Sequence, residues 1–204
     1  MPKILESLLS PASPLQAYWQ GEQPANNQSD VLQLQEASNL SMILIQGHLE
    51  SSNSLPLNEQ NPSELSLSNE PNQVSGHNPA CVWLAPGQWL LIGSDTEETL
   101  IAQLQTALPP DFHITPVSGS RCAIDISGAA ARQLLNSGCG LDFNPTVFTV
   151  GRSAQTLFAQ LDVLIYSFAG QLSDHSTITY RLLVSRGEAD YVWRWLKVAA
   201  REKR

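Results

Sequence analysis

The sequence predicts an α+β fold in which an antiparallel sheet carries its helices mainly on one face. Two observations support this prediction. From Trp89 onward, the apolar periodicity changes in the order strand, helix, strand, strand, helix, strand. Hydrophobic residues fill 42% of the 204 positions, which is enough for a packed core without cross-links. The element order is that of a ferredoxin-like split β-α-β core.

Composition divides the chain into three regions. Residues 1–49 are predicted to contribute strands and a loop that pack on the core. Residues 50–80 are dense in Asn, Ser and Pro and have no sustained period, so they are predicted to form a flexible insertion. Residues 81–204 are regularly patterned and are predicted to form the α+β core.

The N-terminal region contains one helical pattern and two strand patterns. Apolar residues at 4, 5, 8 and 9 have helical spacing, but Pro11 and Pro14 stop that segment early. Apolar and alternating residues predict strands at 31–36 and 41–47.

A hairpin and a helix open the core. The apolar runs at 81–84 and 89–93 flank Pro86-Gly87, which suits a type II turn because proline presets φ and glycine accepts a positive φ. Short capping residues followed by glutamates predict a helix that begins within 94–98. That helix is expected to end before Pro109-Pro110.

Two strands and a second helix follow. Strands are predicted at 112–117 and 121–126. In the second strand, alternation places Cys122, Ile124 and Ile126 on one face and Ala123 and Asp125 on the other.

The second helix is predicted over 129–136. Ser127 is placed to cap its N-terminus, and Gly138 is placed to end it in a left-handed conformation. Further strands are predicted at 147–159, with a break at Gly151, at 163–168 and at 177–184.

The last helix has the strongest pattern in the chain. Ser185 and Glu188 have the spacing of a capping box. The apolar stripe then recurs at helical spacing at Ala189, Val192, Trp193, Leu196 and Ala199/Ala200. Trp195 lies about 200° around the helix from Trp193 and is expected to leave this stripe.

Charge and cysteine content exclude several classes of protein. The net charge of −8 leaves no basic field for nucleic acid or for anionic lipid. No apolar run is long enough to span a membrane, and the first residues lack a signal-peptide pattern. Cys81, Cys122 and Cys139 are odd in number and widely spaced, which favours a reducing compartment over a disulfide framework. We therefore expect a cytoplasmic protein.

The residues supply no catalytic set by themselves. The four histidines have no metal-ligand spacing. Asp174-His175-Ser176 is triad-like only in composition, since triads are spatial arrangements. Cys139 reads better as a packed loop residue than as a reactive thiol. Ser127-Gly128 reads as a helix cap rather than an anion site, and Arg152 as the ion-pair partner of Asp142.

Several segments in order resemble the gamma subunit family of heterotetrameric sarcosine oxidase. They comprise WLAPGQWLL at 83–91, CAIDISGAAAR at 122–132, GCGLD at 138–142, GRSAQTL at 151–157, YRLLVS at 180–185 and ADYVWRWL at 189–196. No single segment is diagnostic, but the ordered set is fairly specific.

The resemblance implies a function that the residues alone do not. It implies a small, non-catalytic and cofactor-free subunit whose fold is similar to the folate-binding domains of the glycine-cleavage aminomethyltransferase, the T-protein. The implied partners are alpha, beta and delta subunits, which carry FAD, FMN, NAD, tetrahydrofolate and zinc. The implied reaction of the complex converts sarcosine to glycine, 5,10-methylenetetrahydrofolate and hydrogen peroxide.

If the chain is a subunit, part of its apolar surface should remain exposed. The candidates for partner contact are Trp89 near the hairpin tip, with Tyr191 and Trp195 on the last helix. Two other functions stay open. One is a stand-alone tetrahydrofolate-binding or aminomethyltransferase-like protein, for which Asp125 is the nearest candidate acid. The other is a thiol enzyme that uses Cys139.

Overall fold

The computed structural model describes residues 13–15, 31–49, 54–57, 65–170 and 178–201. The predicted helical segment at 4–9 and the Asp174-His175-Ser176 sequence lie outside these ranges.

Twelve strands and three α-helices form within the described ranges. The helices are α1 (Glu97–Ala107), α2 (Ala131–Gly138) and α3 (Ala189–Arg201). The strands are β1 (Gln33–Glu36), β2 (Ser41–Gln46), β3 (Leu55–Pro56), β4 (Ser66–Leu67), β5 (Val74–Gly76), β6 (Ala80–Ala85), β7 (Gln88–Gly93), β8 (His113–Pro116), β9 (Arg121–Ser127), β10 (Ser153–Phe158), β11 (Leu161–Ala169) and β12 (Ile178–Ser185).

The α+β class is confirmed, but the strands form two main sheets rather than one. Sheet I has the strand order β1-β9-β12-β11-β10, and sheet II has the order β5-β6-β7-β2-β8. Every pairing in both sheets is antiparallel. The predicted neighbours β8 and β9 separate at 118–120, so β8 joins sheet II and β9 joins sheet I. The prediction of a single sheet failed there because local periodicity does not specify pairing partners.

Three apolar clusters show how the layers stack. One cluster joins sheet I to α2 and α3, and a second joins sheet II to α1. The third lies between the sheets, where Met42, Val82 and Leu90 of sheet II meet Leu164 and Leu183 of sheet I. The molecule is therefore layered as helix pair, sheet I, sheet II and single helix.

The locally encoded elements form as predicted. Gly87 takes φ +74° in the β6–β7 turn, as a type II turn requires at that position. Thr96 is the N-cap of α1, and its hydroxyl accepts a hydrogen bond of 3.3 Å from the Thr99 N–H. The two faces of β9 also separate as expected, with Cys122 and Ile124 toward the helices and Ala123 toward sheet II.

The ends of α2 differ from the prediction. The helix begins at Ala131, and Ser127 remains in β9 instead of acting as the cap. Gly128 turns the chain with φ +102°, at a point where a Cβ atom would lie 2.7 Å from the Val31 carbonyl oxygen. Gly138 stays helical, and its role is steric: a Cβ atom there would lie 2.7 Å from Trp195 and 2.9 Å from Phe158.

The start of α3 also differs from the prediction. A 3₁₀ turn at Arg186–Glu188 separates Ser185 from the α-helix, and the Ser185 side chain makes no capping hydrogen bond. The capping-box prediction is therefore wrong. The predicted apolar stripe is confirmed, because Ala189, Val192, Trp193 and Leu196 are buried.

The region predicted as a flexible insertion, 50–80, is structured in its second half. β5 pairs with β6 in sheet II, and Leu67 of β4 is fully buried. The polar composition did not predict this structure, because polar side chains here make specific contacts. Ser75 Oγ, for example, donates a 2.6 Å hydrogen bond to the Ser66 carbonyl. Sheet II therefore extends across the boundary that composition places at residue 80.

Candidate functional site

A polar cluster lies on the face of sheet I that meets sheet II. Asp125 of β9 and Arg181 of β12 are direct cross-strand partners. Arg181 Nε donates to Asp125 Oδ1 at 2.6 Å, and Nη2 donates to Oδ2 at 2.7 Å. The pair is bidentate. The Arg181 side chain is 13% exposed and the Asp125 side chain is 23% exposed.

Aromatic rings enclose this ion pair. Arg181 Nη1 donates to the Tyr166 hydroxyl at 3.1 Å. The guanidinium carbon also lies 5.1 Å from the Phe168 ring centroid, within the range of a cation–π contact. His77 also meets Phe168 edge-on, at 5.1 Å between ring centroids, and is exposed. The cluster therefore runs from a partly buried ion pair to an exposed imidazole.

Burial and pairing set the charge states of this cluster. Burial raises the pKa of the Tyr166 hydroxyl to about 12, so it stays neutral across the physiological range. For Arg181, burial acts to lower the pKa, but the hydrogen bonds to Asp125 and the neighbouring charges outweigh it and raise the pKa. Both carboxylate oxygens of Asp125 are engaged, so the nearest candidate for a pterin-recognising acid is committed to Arg181.

A second polar group lies on the helix side of sheet I. The Glu36 carboxylate is buried and accepts a 2.6 Å hydrogen bond from the Ser13 hydroxyl. The Cys122 thiol lies 3.5 Å from the same carboxylate. Burial, reinforced by the charge of Glu36, raises the pKa of Cys122 to about 12. Cys122 is therefore a protonated core thiol rather than a nucleophile.

The expectation that Trp89 is exposed is wrong. Its side chain is 1% exposed, its indole N–H donates to the Ser68 carbonyl at 2.7 Å, and its ring stacks on Phe112 at 6.3 Å. The region 65–80, which was expected to be flexible, supplies that acceptor. A side chain held in this way has no surface to offer a partner.

Tyr191 and Trp195 lie together on α3, beside the β10–β11 turn. Tyr191 is 51% exposed, and its hydroxyl donates to the Ala159 carbonyl at 3.4 Å. Trp195 is half-buried and meets Phe158 edge-on at 5.0 Å. The structure thus places two of the three candidate contact residues on one surface. Their contact with a partner remains a prediction.

The other residues singled out from the sequence are placed as follows. Cys139 is buried, with its sulfur 3.7 Å from the Thr156 hydroxyl. The predicted ion pair between Arg152 and Asp142 does not form; Asp142 instead accepts a 2.9 Å hydrogen bond from the Asn144 N–H. No cluster of three metal-ligating side chains occurs within the described residues. No described helix is long and apolar enough to cross a membrane.

Two features were not singled out from the sequence. Arg181 was missed although it is the one charged residue of β12 and lies opposite Asp125 of the neighbouring strand β9. Leu157 was also missed; it is 57% exposed and shares a strand face with Ser153 and Gln155. An isolated leucine on a polar strand face was the available signal.

Comparison with known proteins gives one family match. Residues 63–202 match the sarcosine oxidase gamma subunit family. Two curated relatives, both named sarcosine oxidase subunit gamma, come from Corynebacterium sp. strains U-96 and P-1. They are 28% identical over 124 residues and 32% identical over 88 residues, which is 60% and 43% of this chain. The matches span 56% and 43% of the relatives' own lengths.

Solved structures show the same fold. A chain of the heterotetrameric sarcosine oxidase from Corynebacterium sp. U-96, solved with pyrrole 2-carboxylate, has a TM-score of 0.73 at 21% identity, over 94% of this chain and 95% of that one. The glycine cleavage system aminomethyltransferase T from Bartonella henselae has a TM-score of 0.57 at 15% identity, over 81% of this chain and 45% of that one. The predicted likeness to the T-protein fold is confirmed.

Proposed function

This chain belongs to the sarcosine oxidase gamma subunit family, and from that premise we propose that it is the small, non-catalytic subunit of a heterotetrameric sarcosine oxidase. The observation that carries the proposal is the family match, which covers residues 63–202. The fold supports it, because a chain of a heterotetrameric sarcosine oxidase aligns with 94% of this one.

The proposal assigns the chemistry to companion subunits. The complex demethylates sarcosine to glycine and, with tetrahydrofolate and oxygen, yields 5,10-methylenetetrahydrofolate and hydrogen peroxide. FAD, FMN, NAD, tetrahydrofolate and zinc are held by the alpha, beta and delta subunits. The gamma chain contributes surface rather than reacting groups.

The use of polar groups in the structure supports this assignment. Asp125 and Arg181 neutralise each other inside the molecule, and Tyr166 completes their hydrogen bonding. A charged pair closed in this way is typical of a structural role, since a catalytic group needs an atom directed at a substrate. The exposed apolar side chains, among them Tyr191 and Leu157, are instead typical of a surface that a partner covers.

Co-expression with the companion subunits tests the proposal. We expect the chain to co-elute with the alpha, beta and delta subunits in size-exclusion chromatography. We also expect the purified chain alone to show no flavin absorbance and no turnover of sarcosine. Assembly of an active complex from the other subunits while this chain elutes separately would overturn the proposal.

The fold likeness to aminomethyltransferase T supports a second candidate, a stand-alone tetrahydrofolate-binding protein. The engagement of Asp125 weighs against it, because both carboxylate oxygens already accept hydrogen bonds from Arg181. Calorimetric titration of the isolated chain with tetrahydrofolate separates the two candidates. Saturable binding in the micromolar range would favour the second, whereas a flat isotherm would eliminate it.

A further inference from the structure

The outer edge of β10, at the margin of sheet I, carries backbone hydrogen bonds to other described residues only at its two ends. At one end, the Ser153 N–H donates to the Asn72 carbonyl at 2.8 Å. At the other end, the Ala159 N–H donates to the Gly138 carbonyl at 2.8 Å. Both bonds point away from β11.

Strand geometry then fixes the direction of the groups in between. Because alternate residues of a strand direct N–H and C=O to the same side, Gln155 and Leu157 face outward like Ser153 and Ala159. Their backbone groups have no hydrogen-bond partner among the described residues. The Leu157 side chain beside them is 57% exposed. This is an unprotected edge with an exposed apolar side chain, the pattern that invites strand addition.

The two edges of sheet II are protected in ways that β10 lacks. On β5, the outward Val74 N–H donates to the Gly151 carbonyl at 2.8 Å. On β8, Val117 N–H donates inward to Met42, so the preceding residue, Pro116, faces outward and has no N–H to offer. The edge of β10 differs from both edges of sheet II in this respect.

A pocket of about 310 Å³ adjoins the same edge. Its lining includes Gln155, Leu157, Leu164, Arg121 and Asp162. The side chains of these five residues project from the face of sheet I that points toward sheet II, since they alternate with residues of the helix-side core. A residue paired opposite Leu157 would direct its side chain to that face and pack on Leu157, which lines the pocket.

We propose that the β10 edge receives an extended segment of a companion subunit, which adds a sixth strand to sheet I. This rests on the proposed function, which supplies the companion. Backbone hydrogen bonds to Gln155 and Leu157 would hold the segment, and an apolar side chain opposite Leu157 would cover the exposed Leu157 side chain. A second copy of this chain is disfavoured as the occupant because both copies would carry a net charge of −8.

Substitutions at Leu157 test the proposal in the co-expressed complex. Leu157→Pro removes an outward N–H without taking one from the β10–β11 ladder, and Leu157→Lys places a charge at the pocket. Val147→Lys is the matched control, since Val147 is 58% exposed. We expect both Leu157 variants to weaken assembly about tenfold or more and the control to assemble normally. Thermal unfolding of each isolated chain verifies folding.

The wild-type arm separates this proposal from the proposed function. If the wild-type chain assembles and both Leu157 variants assemble equally well, the edge assignment is wrong while the proposed function stands. If the wild-type chain does not assemble, both fail.

Hydrogen exchange on the wild-type complex gives a measurement that needs no variant. We expect the amides of Gln155 and Leu157 to exchange rapidly in the free chain and at least about tenfold more slowly in the complex, because pairing with an added strand protects them. Unchanged exchange at these two amides would overturn the proposal. Protection in the free chain that rises with its concentration would also overturn it, by indicating self-association instead.

Discussion

The two faces of sheet I are built by different means, although the same strands supply both. Toward α2 and α3, β12 presents Tyr180, Leu182 and Val184 to an apolar core. Toward sheet II, the same strand presents Leu183 and Arg181, and Arg181 is bonded to Asp125. The two tyrosines differ accordingly: the Tyr166 hydroxyl accepts from Arg181, whereas the buried Tyr180 hydroxyl has no partner among the described residues.

The two faces of sheet I therefore rely mainly on different interactions: apolar packing on one face and directional hydrogen bonds on the other. The helix-side core depends on complementary shape, and hydrophobic shapes can often be repacked. A bidentate ion pair between β9 and β12 is directional, so it disfavours a slipped register of those strands. The inter-sheet face thus fixes the register of β9 and β12 with a directional contact.

The largest effect should come from removing one partner of the ion pair. Arg181→Met leaves the partly buried Asp125 carboxylate without its counter-charge, so we expect the free energy of unfolding to fall by about 2 kcal/mol. Urea unfolding followed by circular dichroism measures it. The double variant Arg181→Met with Asp125→Leu is the control and should recover much of the loss. A double variant less stable than the single one would show that the pair does not act as a unit.

A smaller effect should follow from disturbing the shape of the helix-side core. Gly138→Ala places a Cβ atom within 3 Å of Trp195 and Phe158, so we expect a loss of about 1–2 kcal/mol. Gly140→Ala is the matched control, because an added Cβ atom there meets nothing within 4 Å and should change stability by less than about 0.5 kcal/mol. Thermal unfolding compares the two variants, and equal losses would contradict the steric role of Gly138.

The smallest effect compares the two tyrosines directly. Tyr166→Phe removes a hydrogen-bond acceptor from Arg181, so we expect it to cost about 1 kcal/mol. Tyr180→Phe removes a buried hydroxyl that has no described partner, so we expect a change within about 0.5 kcal/mol or a slight gain. Both are measured by urea unfolding at neutral pH. If Tyr180→Phe costs more than Tyr166→Phe, the contrast between the faces is wrong.

Elements that depend on neighbouring residues could be predicted from the sequence. The β6–β7 turn follows from Pro86-Gly87, and α1 follows from Thr96 and the apolar spacing after it. The faces of β9 follow from simple alternation. In each case the determining residues lie within one or two turns or strand positions of one another, so the pattern itself carries the information.

Features that depend on distant residues could not be predicted in this way. Trp89 is buried because Ser68 and Phe112 close over it, and neither lies in its hairpin. Gly138 has the position of a helix terminator, but Phe158 and Trp195 require its small size. The partner of Asp125 lies 56 residues away, and no local period connects the two. Contacts between residues that are distant in the chain determine the environments of these residues. Such contacts also determine which strand edge remains unpaired.

The distribution of the thiols gives this protein internal reporters. All three cysteines are free and buried: Cys81 lies in the core under α1, and Cys122 and Cys139 lie in the core under the helix pair. An alkylating reagent can reach a given sulfur only after its own layer has opened. Mass-resolved alkylation rates therefore distinguish sub-global opening of one half of the molecule from that of the other, with no introduced label.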